Sequence, residues 1–132
     1  MGESWRAEGE KDELTREIIG AAIEVHRALG PGLLESAYEA CLAAELEDRG
    51  IRFQAQVPLP VLFKGRSIEA GYRMDLVVKD RVIVELKAIE KLLLIHEAQL
   101  LTYLKLSGLS TGLILNFNTP YLRDGIIRKV LS

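Results

Sequence analysis

Two carboxylates and a lysine lie close together in the middle of the chain and could do chemistry together. Asp75 lies within the segment Tyr72–Val78, and Glu85 and Lys87 lie within the segment Val82–Lys87. Neighbouring carboxylates repel each other when both are ionised and partly buried, and a hard divalent cation relieves that repulsion because it prefers oxygen ligands. These residue types therefore suit metal-assisted phosphodiester hydrolysis, in which a lysine stabilises charge or orients the attacking water.

The pattern around these residues predicts two strands whose charged side chains share a face, because alternate strand residues project on the same side. The intervening rows are wholly apolar: Met74, Leu76 and Val78 on one strand, and Val82, Val84 and Leu86 on the other. A three-residue loop at 79–81 would pair Asp75 with Glu85, whereas a two-residue turn would place them on opposite faces. We predict the odd-length loop or an equivalent bulge, although no glycine is present to adopt a left-handed conformation easily.

Lys87 lies two residues beyond Glu85 on the same predicted strand, about 7 Å away at roughly 3.3 Å per residue. Its ammonium would therefore reach a water or phosphate held by a metal. The alternative is a ladder of salt bridges on a solvated sheet face. For the D-x9-E-x-K pattern in isolation this alternative is favoured, because such short motifs are common by accident.

A predicted helix after these strands carries further polar side chains. His96, Gln99 and Tyr103 fall at positions i, i+3 and i+7 and so share one face. A glutamine and a tyrosine one turn apart could position the lysine, a water or a phosphate. An ordinary amphipathic helix is the competing interpretation, and for the helix in isolation it is the favoured one.

The elements that must position these residues follow from periodicity and from glycine and proline. A helical apolar stripe is predicted from Leu14 to Leu29, a second helix over 33–49, and a third over 94–106. A hairpin turn is predicted at 64–66, and buried or edge strands at 111–117 and 125–131. The predicted order is α-α-β-β-β-β-α-β-β, an α/β fold with a mixed β-sheet flanked by helices. Residues 1–12 are expected to be a disordered leader and 13–132 a single domain.

Composition and charge set wider limits on function. No stretch of the sequence has the run of apolar residues that a membrane span needs, and the polar, acidic start lacks the features of a signal peptide, so we expect a cytoplasmic protein. Cys41 is the single cysteine, which excludes an internal disulfide. Residues 1–50 hold 5 Lys/Arg and 12 Asp/Glu, whereas residues 51–132 hold 12 and 7. The second part could therefore present a basic surface to phosphates, with Arg123, Arg128 and Lys129 as candidates, or simply carry solvated edge-strand charges.

The motifs together resemble a known family. Asp75, Glu85-Leu86-Lys87 and Gln99-Leu100-Leu101-Thr102-Tyr103 resemble the PD-(D/E)XK nuclease superfamily, especially its RecB-like branch with a Q-x-x-x-Y helix. Upstream, Gly32-Leu33-Leu34-Glu35-Ser36-Ala37-Tyr38 matches the pattern of the GxxExxY proteins of that superfamily. The resemblance implies a restriction-endonuclease-like fold.

The resemblance also implies residue roles. Asp75, Glu85 and the Leu86 carbonyl would bind Mg²⁺ or Mn²⁺, and Glu35 would be an acidic residue offered by an early helix. Lys87 would be the catalytic lysine and Gln99 a supporting polar residue, with these further supporting positions: Tyr103, His96 and Tyr38.

The expected function is therefore a metal-dependent nuclease acting on nucleic acid, with DNA expected before RNA. One alternative is a non-catalytic nucleic-acid- or protein-binding module on the same fold, and another is an assembly protein whose sheet face is merely charged. A homodimer would supply two sites for the two strands of a duplex, but nothing in the sequence fixes an interface.

Overall fold

The computed structural model describes the backbone of residues 2–131 and the side chains of residues 13–131. The helices and strands follow one another in this order: α1 (Gly2–Leu29), α2 (Glu35–Asp48), β1 (Phe53–Pro58), β2 (Val61–Phe63), β3 (Arg66–Ile68), β4 (Arg73–Val78), β5 (Val82–Lys87), α3 (Leu94–Ser107), β6 (Thr111–Asn116) and β7 (Ile126–Val130), with a short 3-10 helix (Leu122–Gly125) before β7. Five strands precede α3, one more than in the predicted order.

Five strands form one mixed sheet in the order β1-β4-β5-β6-β7. The β5–β6 pair is parallel and is connected through α3, and the other neighbouring pairs are antiparallel. The strands β2 and β3 form a separate two-stranded ribbon that is inserted between β1 and β4. The fold is α/β with helices flanking a mixed sheet, which confirms the predicted fold class and is consistent with a restriction-endonuclease-like fold.

Two apolar clusters cover the two faces of the sheet. Residues of α1 and α2 pack on one face against a row that includes Leu76, Val84 and Leu113. Residues of α3 pack on the other face against Val77 and Ile83. The predicted stripe of α1 is buried from Leu14 to Val25, but Leu29 is 39% exposed. Its inclusion was wrong, because Leu29 is the last residue of α1, directly before the left-handed Gly30.

The β4–β5 connection confirms the predicted parity. Val78 is paired with Val82, and Arg81 donates its backbone N–H to the Val78 carbonyl at 3.0 Å. Lys79 and Asp80 take left-handed conformations, with φ of 51° and 55°. The loop therefore forms without glycine, at a cost in backbone strain.

One of the predicted apolar rows is interrupted. Leu76 belongs to the cluster under α1 and α2, whereas Met74 packs on the opposite face with the α3 cluster. The prediction that Met74 shares the core of Leu76 was wrong because strand pairing breaks between them. Gln56 of β1, opposite Asp75, has a φ of 52°, and the β1–β4 register omits this position.

The helix α1 begins at Gly2, so the backbone of residues 2–12 is helical rather than irregular as the predicted leader implied. The side chains of residues 1–12 lie outside the described part of the chain, and the division into a leader and one domain stays a prediction. None of the helices in residues 2–131 is long and apolar enough to cross a membrane.

Candidate functional site

Asp75 and Glu85 are locked together at the break in the sheet. The Asp75 backbone N–H donates to Glu85 Oε2 at 2.8 Å, and the Leu86 N–H donates to Asp75 Oδ2 at 2.9 Å. The β4–β5 register extends only as far as the pair of Leu76 and Val84. Beyond that pair, each carboxylate accepts a main-chain N–H, so the two acids that the parity argument placed side by side are held in position by the strands themselves.

Glu85 is buried, and its pKa is strongly raised. It is 7% exposed, and burial, followed by the charge of Asp75, raises its pKa from 4.5 to about 8. The hydrogen bond from the Asp75 N–H and the charge of Lys87 lower the pKa by less. In the metal-free protein Glu85 is therefore largely protonated at neutral pH, and a bound cation would favour its ionised form.

Lys87 ends β5 beside this acidic pair and is half-buried. Within the described part of the chain its ammonium has no hydrogen bond or salt bridge, and its charge acts on Glu85 from a longer distance. The backbone around it is firmly held. Phe117 donates its N–H to the Lys87 carbonyl at 2.9 Å, and buried Asn116, paired with Lys87 across the sheet, binds both the N–H and the carbonyl of Ile89.

The helix α3 presents two of its three predicted polar residues to the site. Gln99 donates to the Tyr103 hydroxyl at 3.1 Å. Burial and the nearby charge of Glu85 raise the pKa of Tyr103, which places its hydroxyl in the field of the acidic pair. His96 instead accepts the Leu93 N–H through Nδ1 at 2.8 Å, so it caps the start of α3 and makes no hydrogen bond or ion pair with Asp75, Glu85 or Lys87.

The acid that α2 brings to the site is Glu39, which the sequence analysis missed. Glu39 accepts a hydrogen bond from Gln56 at 2.8 Å, and the same Gln56 amide lies 3.4 Å from Asp75 Oδ1. Burial and then the charge of Asp75 raise the pKa of Glu39. Glu35 is exposed and acts most weakly on Glu39. Glu39 lies one helical turn after Glu35, and this spacing could have indicated that both acids share a face of α2. Nothing in the sequence indicated that Gln56 has a left-handed backbone.

Tyr38 is fully buried and holds the turn that precedes α2. Its hydroxyl donates to the Gly30 carbonyl at 2.6 Å and accepts the Leu33 N–H at 3.1 Å. Its ring stacks on Phe117 with centroids 4.5 Å apart. Tyr38 therefore fixes where α2 begins, and so where Glu39 lies, without touching the acidic pair.

The donor set fits a hard cation that keeps much of its water. Asp75 and Glu85 each use one oxygen to accept a main-chain N–H. The second oxygen of Glu85 is left for a ligand, and Asp75 Oδ1 has only the long 3.4 Å contact with the Gln56 amide, so it keeps a lone pair for one. Among the described residues, no group of three or more His, Cys, Asp or Glu side chains could enclose an ion. Two carboxylates with waters suit Mg²⁺ or Mn²⁺ better than a metal that needs four protein ligands, such as structural zinc.

Comparison with known protein families identifies the family to which the chain belongs. A sequence model of the family described as "PD-(D/E)XK nuclease superfamily" matches residues 12–129. That span contains both carboxylates, Lys87, the polar face of α3 and the acids of α2. No curated protein and no solved structure matches the chain.

Proposed function

The chain belongs to the PD-(D/E)XK nuclease superfamily, and from that premise we propose that it is a metal-dependent nuclease that hydrolyses phosphodiester bonds in nucleic acid. The observation that carries the proposal is the pairing of Asp75 with Glu85 across β4 and β5, beside a lysine with no salt-bridge partner among the described residues. The narrower assignments, to the GxxExxY proteins and the RecB-like branch, are part of the proposal and rest on the motifs.

In this proposal Asp75 and Glu85 hold Mg²⁺ or Mn²⁺, with the Leu86 carbonyl as a further ligand. When bound, the cation would polarise the phosphate and lower the pKa of a water. The Lys87 ammonium is free to orient that water or to stabilise the developing phosphate charge. Tyr103, held by Gln99, lines the α3 side of the site, and Glu39 takes the place on α2 that the resemblance gave to Glu35.

The test separates chemistry from metal binding. We expect Mg²⁺- or Mn²⁺-dependent cleavage of labelled DNA or RNA, reduced at least about 100-fold in Lys87→Ala, since one charge-stabilising group contributes on that order. Manganese should still raise the melting temperature of Lys87→Ala, but not that of Asp75→Asn. Lys105→Ala, at the exposed far end of α3, is the matched control and should cleave normally. Metal-dependent cleavage that survives in Lys87→Ala would reject the assignment.

A second candidate function is a non-catalytic module that binds nucleic acid or protein. The observation that favours it is that only two acids meet directly at the site, and no cluster of three metal-binding side chains is found among the described residues. Titration of nucleic acid at several salt concentrations, with product formation followed in the same samples, separates the two functions. Binding without product under Mg²⁺ and Mn²⁺ would favour the module.

A further inference from the structure

A cleft separate from the acidic pair lies on the α1 side of the sheet, beyond the end of β6. It has a volume of about 670 Å³ and opens between the last turn of α1 and the segment that leads into the 3-10 helix. Its polar lining consists of Arg27 and His26 from α1 and of Tyr121 and Arg123 from that segment, and Ile23 and Leu122 supply apolar wall. No carboxylate lines the cleft within the described residues.

The mouth of the cleft carries a stacked aromatic and cationic pair. The Arg123 guanidinium lies over the Tyr121 ring, 5.5 Å from its centroid. Tyr121 is 64% exposed, so most of this ring has no protein partner. Asp124 lies 4.0 Å from Arg123, but both side chains are largely exposed, and such ion pairs contribute little. Arg27 is exposed and has no salt bridge among the described residues.

The floor of the cleft is held in place. His26 is 7% exposed, and its Nε2 lies 2.8 Å from the Thr119 carbonyl, which ties α1 to the segment after β6. Phe117, between the rings of His26 and Tyr38, completes a packed layer under that segment. The cleft therefore exists before any ligand binds, which lowers the entropic cost of binding.

The topology places this cleft at the same end of the sheet as the candidate active site. The strands β5 and β6 are parallel, and Lys87 pairs with Asn116, the last residue of β6. Tyr121 follows Asn116 by five residues, and the intervening turn is bound to the Asn116 carbonyl through the Thr119 hydroxyl. Glu85 projects to the α3 face and the cleft opens on the α1 face, so a strand of nucleotides that occupied both would pass around the ends of β5 and β6.

These features match one class of ligand. Arginine binds phosphate strongly, and an aromatic ring with a guanidinium offers a surface on which a nucleobase can stack. The face of a base in a duplex is covered by its neighbours, so only an unpaired base can use that surface. We propose that the cleft of Arg27, Tyr121 and Arg123 binds an unpaired nucleotide, so that the substrate contains a single-stranded segment. The identification as substrate rests on the proposed nuclease function, whereas the binding itself does not.

The test is binding in the presence of a chelator, so that no cleavage occurs. A fluorescein-labelled oligothymidine, alone or annealed to oligoadenine, is titrated with the full chain and followed by anisotropy. We expect the single strand to bind more tightly than the duplex. Tyr121→Ala and Arg123→Ala should each weaken single-strand binding about 5- to 100-fold, the range that stacking of one base gives, and Tyr121→Phe should keep the wild-type affinity.

Arg52→Ala is the matched control. Arg52 lies just before β1, its side chain is 75% exposed, and it pairs with Asp80 at 3.8 Å, much as Arg123 pairs with Asp124. Its loss should leave binding unchanged. Equal affinity of Tyr121→Ala and wild type, or tighter binding of the duplex, would overturn the proposal. If Lys87→Ala still cleaves while Tyr121→Ala loses binding, the nuclease assignment fails and the nucleotide cleft stands. If Lys87→Ala loses cleavage while Tyr121→Ala binds like the wild type, the nuclease assignment stands and only the nucleotide-binding role of the cleft is rejected.

Discussion

At the scale of single residues, the acidic pair serves the fold as well as the proposed chemistry. Asp75 and Glu85 each accept a main-chain N–H where the pairing of β4 and β5 ends. Removing either side chain would leave a partly buried N–H without its partner, which costs about 1–3 kcal/mol. Isosteric amides, rather than alanine, are therefore the informative substitutions at these two positions.

Glu85 gives the metal-free protein a specific pH dependence. Its pKa of about 8 in the folded state lies above the ordinary value of 4.5, so the folded state retains a proton that the unfolded state has released between these pH values. Its contribution to the free energy of unfolding is full below pH 4.5 and is lost as the pH rises toward 8. Urea denaturation in chelator should show this loss in the wild type.

The Glu85→Gln variant should lose that decline, because glutamine does not titrate. Glu90→Gln, which removes an exposed carboxylate from the loop after β5, should keep the wild-type slope. Identical slopes for wild type and Glu85→Gln over this range would contradict the assignment of the pH dependence to Glu85.

Sequence patterns predicted most of the site at this scale. Strand parity placed Asp75, Glu85 and Lys87 together, and helical spacing placed Gln99 with Tyr103. His96, which has the same spacing, accepts the Leu93 N–H and caps the first turn of α3, so its supporting role stays a prediction. Glu39 was not predicted, because its link to Asp75 runs through Gln56. No local sequence pattern indicates that the backbone of Gln56 is left-handed.

At the scale of elements, the turn between β4 and β5 stores strain that sequence changes can remove. Lys79 and Asp80 have φ of 51° and 55°, and a left-handed L-residue costs free energy that asparagine and glycine largely avoid. The double substitution Lys79→Asn and Asp80→Gly should raise the free energy of unfolding by up to about 1 kcal/mol. The midpoint of urea denaturation measures this change in stability, and the affinity for manganese at the far end of the strands should not change. A lower midpoint than in the wild type would contradict the assignment of strain to this turn.

The close packing of α3 on β6 leads to a second prediction, on the stability of the protein. A Cβ added to Gly112 would lie 2.7 Å from Leu100 Cδ1 and 3.1 Å from its Cγ, and Leu100 is 1% exposed within the α3 cluster. Gly112→Ala should therefore lower the free energy of unfolding by about 1–3 kcal/mol through overpacking.

Gly20→Ala is the control for this substitution. A Cβ at Gly20 meets the Arg49 guanidinium at 3.3 Å, and that side chain is partly exposed and can shift. Alanine is favoured over glycine inside a helix by about 1 kcal/mol, so Gly20→Ala should stabilise the protein or leave it unchanged. A Gly112→Ala variant as stable as the wild type would show that Leu100 has room to repack.

The types of the helices and strands and their order were largely predictable, because the spacing of apolar residues, every second residue in strands and every third or fourth in helices, is set by the local sequence. The β4–β5 register was predictable because an odd loop alone kept both charged groups on one face. The switch of Met74 to the α3 side was not, since it depends on the partner strand β1. The hairpin of β2 and β3 was predicted from its turn at 64–66 and is confirmed, but its separation from the main sheet was not predicted.

At the scale of the whole molecule, one sheet serves both apolar clusters, and the described core begins at Leu14. Residues 1–12 are polar and acidic, which is the ground for the predicted leader. Deleting them should shift the melting temperature by no more than about 2 °C, below the effect of losing 1 kcal/mol in a domain of this size. Far-UV circular dichroism is the suitable probe, because Trp5, the single tryptophan, is deleted. A loss of many degrees would show that these residues belong to the domain.

The distribution of charge along the chain only partly predicted the basic surface. The excess of Lys and Arg after residue 50 pointed to the second part of the chain, and Arg123 does lie at the cleft. Arg27, however, comes from the acidic first part, and α1 brings it to the same cleft. The balance of charged residues along the sequence describes separate segments, whereas a binding surface consists of residues from several segments that the fold brings together.

The two roles of the acidic pair bear on how descendants of this protein would diverge. A lineage without the proposed nuclease activity would still be selected to keep Asp75 and Glu85, because each accepts a main-chain N–H where the pairing of β4 and β5 ends. The Lys87 ammonium makes no hydrogen bond or salt bridge among the described residues, so other residues could replace Lys87 without loss of stability. Lys87, more than either acid, is thus the position at which loss of catalysis would first leave a trace in evolution.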